Sequence, residues 1–128
     1  MDHEEAKKVA ERFVRVVENN DVSVFADDVF CDINVPEWRF QMRGPAAVKE
    51  WLDGEQPDGC HVPSWRADAT ESGVVVEIVQ LLGEELARNM HRLEVRDGKI
   101  AEWTMYCTGV WNAETQKRHA AEAPMLRP

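Results

Sequence analysis

The chain has 128 residues, 44% hydrophobic and 30% charged, a size and mix that suit one domain, 1–128, around a single core. Its formal charge of −9 argues against nucleic acid and anionic membrane as partners, because phosphate binding draws on clustered Lys and Arg that release counterions. No apolar run approaches the roughly 20 residues of a bilayer span, and the opening MDHEEAKK is too polar for a signal peptide, so the expected location is the cytoplasm.

Asp2 followed by Glu5 starts a helix in the manner of a capping box, and Ala6, Val9, Ala10, Phe13, Val16 and Val17 recur at helical spacing through Asn19. A short helical turn is expected over Val22 to Phe25. From Val29 the pattern VFCDINV is strand-like until Pro36 removes a backbone donor. Phe30, Asp32 and Asn34 share one side of that strand, and Cys31, Ile33 and Val35 the other. Trp38 to Met42 pairs back on it through Pro36-Glu37. Arg43-Gly44-Pro45 then opens a second amphipathic helix bearing Ala47, Val48, Trp51 and Leu52, which Gly54 closes. Glu55 to Cys60 reads as a polar loop.

From His61 onward the sequence predicts an antiparallel meander with turns at Ser72-Gly73, Gly83 to Leu86 and Asp97-Gly98. Asp97-Gly98 is the strongest local signal, a type I′ pair needing φ > 0 at both positions. The strand before it alternates, with Arg88, Met90, Arg92, Glu94 and Arg96 outward and Asn89, His91, Leu93 and Val95 inward. The expected register sets Ile78 beside His91, Gln80 beside Asn89 and Val76 beside Leu93, with Glu77 meeting Arg92 on the reverse face. Trp65, Ala67 and Ala69 then face inward, with His61 near the rim. The inner face so built runs from apolar (Val74, Val76, Leu93, Val95, Ile100) to polar (His91, Gln80, Asn89, Trp65), a pattern suited to a small, largely apolar ligand.

The last strand admits two readings. Unbroken pairing turns Glu102, Thr104 and Tyr106 inward. A β-bulge near Ala101 instead brings in Trp103, Met105 and Cys107, and is preferred because an unpaired buried carboxylate costs several kcal/mol. After Thr108-Gly109, Asn112 caps a last helix, AETQKRHAAEA, and the closing MLRP is expected to be loosely held.

Cys31, Cys60 and Cys107 are odd in number and form no C-x-x-C, which fits reduced thiols, and Cys31 and Cys107, within strand-like runs, are expected to be core fillers. His3, His61, His91 and His119 show no ligand spacing, so no metal site is expected.

The element order, the R-G-P-A-A opening of the second helix and the closing D-G-K-I-A-E-W-T-M-Y resemble the nuclear transport factor 2-like superfamily, in particular its SnoaL-like branch. The resemblance covers nearly the whole chain. It implies an α+β fold, a cone-shaped curved antiparallel sheet packed on N-terminal helices around a pocket, and a homodimer. It implies no cofactor, and a polyketide- or terpenoid-like guest. Members range from isomerases, dehydratases and polyketide cyclases to noncatalytic proteins, so the fold alone does not choose a chemistry. By position, Asp32 stands where a first-strand carboxylate is found and His91 near the partner acid or base. The isomerase's helix-borne tyrosine falls near Phe13.

An imidazole beside a carboxylate suits proton abstraction next to a carbonyl without a cofactor. The first functional reading is therefore an acid/base enzyme of isomerase, dehydratase or cyclase type. His91 is its base, Asp32 the orienting group, and Asn89, Gln80 or Tyr106 the group polarising a substrate oxygen. Phe13, Asn34, Trp38, Trp65, Trp103 and Met105 complete the expected substrate contacts. The alternative is a noncatalytic ligand-binding or dimerisation module in which His91 is a satisfied core histidine. The enzyme reading requires His91 and a carboxylate to meet inside a cavity.

Overall fold

The structure is a computed structural model and describes residues 1–127. Helix α1 (His3–Asn19) begins at Asp2, whose carboxylate accepts the Glu5 N–H at 3.0 Å. Its seven inward positions, from Ala6 to Val17, are all buried. The expected helical turn is a single turn closed by Phe25 N–H on Val22 O at 3.2 Å. Strand β1 (Phe25–Val35) starts four residues ahead of the expectation, because Phe25 is drawn into the sheet opposite Ile100. Strand β2 (Trp38–Arg43) returns along β1. Helix α2 (Pro45–Glu55) runs past Gly54 and ends where Gln56 N–H bonds Leu52 O, so its last turn takes up the start of the expected loop.

Strands β3 (His61–Ala69), β4 (Gly73–Leu82), β5 (Glu85–Arg96) and β6 (Lys99–Cys107) form the expected meander, followed by α3 (Ala113–Glu122). The six strands lie in the order β2-β1-β6-β5-β4-β3. Every junction is antiparallel except β1–β6, which is parallel, so the sheet is mixed rather than wholly antiparallel. That one parallel neighbour is the consequence of a chain that leaves β1–β2 through α2 and returns beside β1 only at β6. The architecture is α+β, a curled open sheet with helices on its inner face. No helix among the described residues is long and apolar enough to cross a membrane. Met125 and Leu126 are exposed, and Pro128, the last residue of MLRP, lies outside the described residues.

Asp97 and Gly98 have φ of 53° and 76°, as the type I′ turn requires, and Arg96 pairs with Lys99 across it. The β4–β5 turn is Gly83-Glu84, centred one residue earlier than expected, which moves the register by two. Val76 therefore opposes His91, Ile78 opposes Asn89 and Gln80 opposes Ala87. A shift of two leaves each residue on its face, so the expected inner and outer sets survive the slip. The expected Glu77–Arg92 pair does not survive it. Glu77 binds Arg66 at 3.1 Å and Arg92 binds Glu94 at 3.0 Å.

The β6 bulge is present. Val95 pairs with Ile100 and Glu94 with Glu102, leaving Ala101 as the extra residue. Trp103 and Met105 are consequently buried, while Glu102 and Tyr106 are exposed. Helix α1 packs against β3 and β4, and α2 against β1 and β2, so the two helices cover opposite ends of the sheet. Between them a hollow is left.

Candidate functional site: a cavity with a polar seam

The hollow has a volume of about 630 Å³. Its floor comes from the inward positions of the sheet: Gln80 and Leu82 on β4, Ala87, Asn89 and His91 on β5, Trp103, Met105 and Cys107 on β6, and Val35 on β1. Its walls are Val16 and Val17 of α1 and Trp51 and Leu52 of α2. Trp38 and Phe40 of β2, Glu55, Gln56, Gly109 and Val110 complete the rim. Trp38 is 71% exposed, so it frames the mouth rather than the floor. The lining is mostly hydrocarbon and aromatic ring, with a few polar groups at depth, the composition of a small-molecule site.

Those polar groups form one continuous chain of hydrogen bonds. Trp103 Nε1–H donates to His91 Nδ1 at 3.0 Å, and His91 Nε2 meets Asn89 Oδ1 at 2.8 Å. Asn89 Nδ2 donates to Gln80 Oε1 at 3.0 Å, and Gln80 Nε2 to Gln56 Oε1 at 2.9 Å. Gln56 Nε2 donates to Asn20 Oδ1 at 2.9 Å and also to Val17 O. Asn20 Nδ2 in turn donates to Gln56 O at 2.9 Å and to Asp53 Oδ1 at 3.1 Å. An indole can only donate, and a main-chain carbonyl or a carboxylate can only accept. The two ends therefore fix the direction of every bond between them. His91 must carry its proton on Nε2 and accept at Nδ1, which makes it a neutral ring with both nitrogens engaged.

Its surroundings enforce the same state. His91 is 1% exposed, 4.7 Å from the Phe13 ring and packed on Trp103. Burial pushes its pKa down to about 3. Protonating Nδ1 would set an imidazolium N–H against an indole N–H. No buried side-chain nitrogen or oxygen of the seam is without a partner.

Asp32 corrects the expected dyad. It lies on the outer face of β1, bonded by Arg39 through two contacts of 2.8 Å, while its neighbours Cys31 and Ile33 point into the core. Hydrogen bonds from Arg39 hold its carboxyl below the usual aspartate range. An alternating strand cannot present Asp32 and Ile33 to the same side, and the core claims Ile33. His91 and Asp32, the expected base and orienting carboxylate, are therefore on opposite sides of the sheet.

Of the expected substrate contacts, Trp38, Gln80, Asn89, Trp103 and Met105 do line the cavity. Four do not. Tyr106 is 62% exposed on the outer face, where the bulge sends it. Asn34 shares the outer parity of Asp32 and donates to Met105 O at 3.1 Å. Trp65 faces inward but toward the start of α1, beside His3, Ala6 and Lys7. Phe13 is wholly buried under His91, a support for the ring rather than a wall of the cavity. His61 is exposed, because β3 is irregular between His61 and Ser64 and Val62 takes the inward place.

Sequence reasoning missed Gln56, Glu55 and the cavity role of Trp51. Gln56 sat in a stretch read as polar loop, and its inward turn follows from two main-chain facts. Gln56 N–H ends α2, and Cys60 N–H is tied to Glu18 O at 3.1 Å, where Gly59 at φ +70° lies so close that a Cβ would meet that oxygen at 1.9 Å. This clasp seats the loop on α1. Two thiols are quiet: burial pushes Cys31 up to about 12 and also raises Cys60.

A curled mixed sheet, two helices on its concave side and a cavity between them define a cone-shaped pocket protein. No protein-family model and no curated protein sequence matches the chain. Solved structures do. An NTF2-like protein of unknown function from Burkholderia xenovorans LB400 superposes with a TM-score of 0.68 at 15% identity, covering 97% of both chains. An NTF2-like protein from Anabaena variabilis gives 0.62 at 22% identity over 85% of this chain and 95% of its own. A protein of ketosteroid isomerase-like fold from Catenulispora acidiphila, in complex with trimethylamine, gives 0.63 at 13% identity over 84% and 88%. The chain therefore has the nuclear transport factor 2-like fold.

Proposed function

We propose that the protein binds a small, largely apolar molecule in its cone cavity and that His91 does not act there as a base. The observation that carries this reading is the closed seam. The one deep imidazole accepts from a donor that has no other role to offer, and the carboxylate meant to orient it lies on the far face. An isomerase, dehydratase or cyclase built on an Asp32–His91 pair lacks its dyad. What stays is a cavity of about 630 Å³ with hydrocarbon walls and fixed amides, which suits recognition. The presence of trimethylamine in the protein from Catenulispora acidiphila supports this fold as a holder of small molecules. A polyketide- or terpenoid-like guest fits the size and apolar lining.

Ala87 provides the test, since it is 1% exposed and its side chain borders the cavity. The neutral fluorophore N-phenyl-1-naphthylamine should brighten on mixing with the wild-type protein and quench its tryptophan emission. Ala87→Phe, which puts a ring into the void beside its cross-strand partner Gln80, should keep the far-ultraviolet dichroism and cooperative unfolding of the wild type and lose that response. Equal binding by both proteins, or no binding by the wild type, sinks the proposal. A homodimer belongs to the same proposal. Met90 and Tyr106, cross-strand partners on β5 and β6, are exposed apolar groups on the outer face of the sheet.

A further inference from the structure

We infer that the guest is an amphiphilic amine, an apolar body carrying one protonated nitrogen, an inference that rests on the cavity being a ligand site at all. Three features of the lining point the same way. The first is hydrogen-bond arithmetic along the seam. Both amide hydrogens of Asn20 and of Gln56 are committed to oxygens of the protein. Asn89 gives one to Gln80 and turns the other to the Cys107 sulfur at 3.8 Å. Gln80 gives one to Gln56. The oxygens are less taken up. Asn89 Oδ1, Gln80 Oε1 and Gln56 Oε1 each accept a single bond, and an amide oxygen has two lone pairs. The seam thus holds three amide oxygens with an open lone pair against one uncommitted amide hydrogen, that of Gln80.

The second feature is charge. Among the residues that line the cavity, Glu55 is the one ionised side chain, and no Lys or Arg accompanies it. It follows the α2 wall and precedes Gln56, so a carboxylate stands next to one of the open amide oxygens in the chain. The third is the aromatic complement. Trp38, Phe40, Trp51 and Trp103 all border the hollow, and Phe40, Trp51 and Trp103 form a connected edge-to-face and tilted set at 5.4 Å and 6.1 Å. The faces of such rings attract cations. A carboxylic acid would find no positive charge here, only that Gln80 hydrogen and the indole N–H groups of Trp38 and Trp51 as side-chain donors, and the Glu55 carboxylate to repel it, while an alcohol would leave the ring faces and Glu55 unused. An ammonium group uses all three features, and the molecule's charge of −9 favours its approach.

The test is a matched series: octylamine, 1-octanol and octanoate, titrated at neutral pH as competitors of N-phenyl-1-naphthylamine. Octylamine should displace the probe at concentrations at least about tenfold below 1-octanol, with octanoate weakest. Glu55→Gln should weaken octylamine by about threefold, leave 1-octanol unchanged, and narrow the gap between them, as should added salt. The inference fails if 1-octanol or octanoate competes as well as octylamine, or if Glu55→Gln weakens amine and alcohol alike. Should the naphthylamine bind while none of the octyl compounds displaces it, the amine inference falls and the binding reading stands. Should the naphthylamine itself fail to bind, both fall together.

Discussion

His91 shows how one neighbour can decide the chemistry of a side chain. A histidine facing an apolar interior is suited to proton transfer only if one nitrogen is free to change state. Here Trp103 occupies Nδ1 and Asn89 occupies Nε2, and burial holds the pKa at about 3. The folded pKa lies below that of the unfolded chain, so between pH 6.5 and about 3 the unfolded chain takes up a proton that the folded one refuses. Stability from this group is therefore fully present above pH 6.5 and declines as pH falls, by up to about 1.4 kcal/mol per pH unit. Denaturant titrations at pH 6.5 and pH 5 should show the wild type losing about 1.5 kcal/mol more than His91→Gln, which cannot titrate. Parallel losses in the two proteins would mean that the ring is not held neutral. The sequence placed His91 inward correctly; it could not reveal Trp103 as the donor, because the two are 12 residues apart and meet only across the β5–β6 pair, two residues off register.

At the scale of elements, the Ala101 bulge governs what the cavity contains. Without the extra residue, β6 would turn Glu102, Thr104 and Tyr106 inward and expel Trp103 and Met105, since side chains on a strand alternate with a period of two. The sequence favoured the bulge on the cost of burying Glu102, and the paired residues Glu94–Glu102 and Val95–Ile100 bear that out. Deleting Ala101 should abolish cooperative unfolding and the near-ultraviolet dichroism of the buried Trp103, while Ala101→Gly, which keeps the residue count, should fold. A folded deletion variant with native tryptophan signals would show that the bulge can be spared. The β4–β5 register was less legible. Both a turn at Gly83-Glu84 and one a residue later satisfy the same alternation, and only the observed pairing of Leu82 with Glu85 separates them.

Over the whole molecule, the cavity exists because α1 and α2 cover opposite ends of the curled sheet and the seam joins them, with Gln56 bonded to Val17 and Asn20 to Asp53. The convex face is left to the solvent or to a second copy. Its exposed pair, Met90 and Tyr106, makes the dimer proposal specific. Sedimentation equilibrium should return twice the 14.6 kDa chain mass for the wild type and a single chain mass for Met90→Glu with Tyr106→Glu. A wild-type monomer at micromolar concentration, or a dimer indifferent to both substitutions, would remove that face from consideration.

The sequence by itself determined the elements, their order, the two faces of each strand and the inward aim of His91, because periodicity and turn chemistry act over a few neighbouring residues. Tertiary structure alone decided that Asp32 belongs to the outside, that β6 lies parallel to β1, and that Gln56 enters the cavity. It also decided that an indole from the next strand closes the histidine to protons. Each of these depends on which distant segment arrives alongside, and local patterning carries no record of that partner.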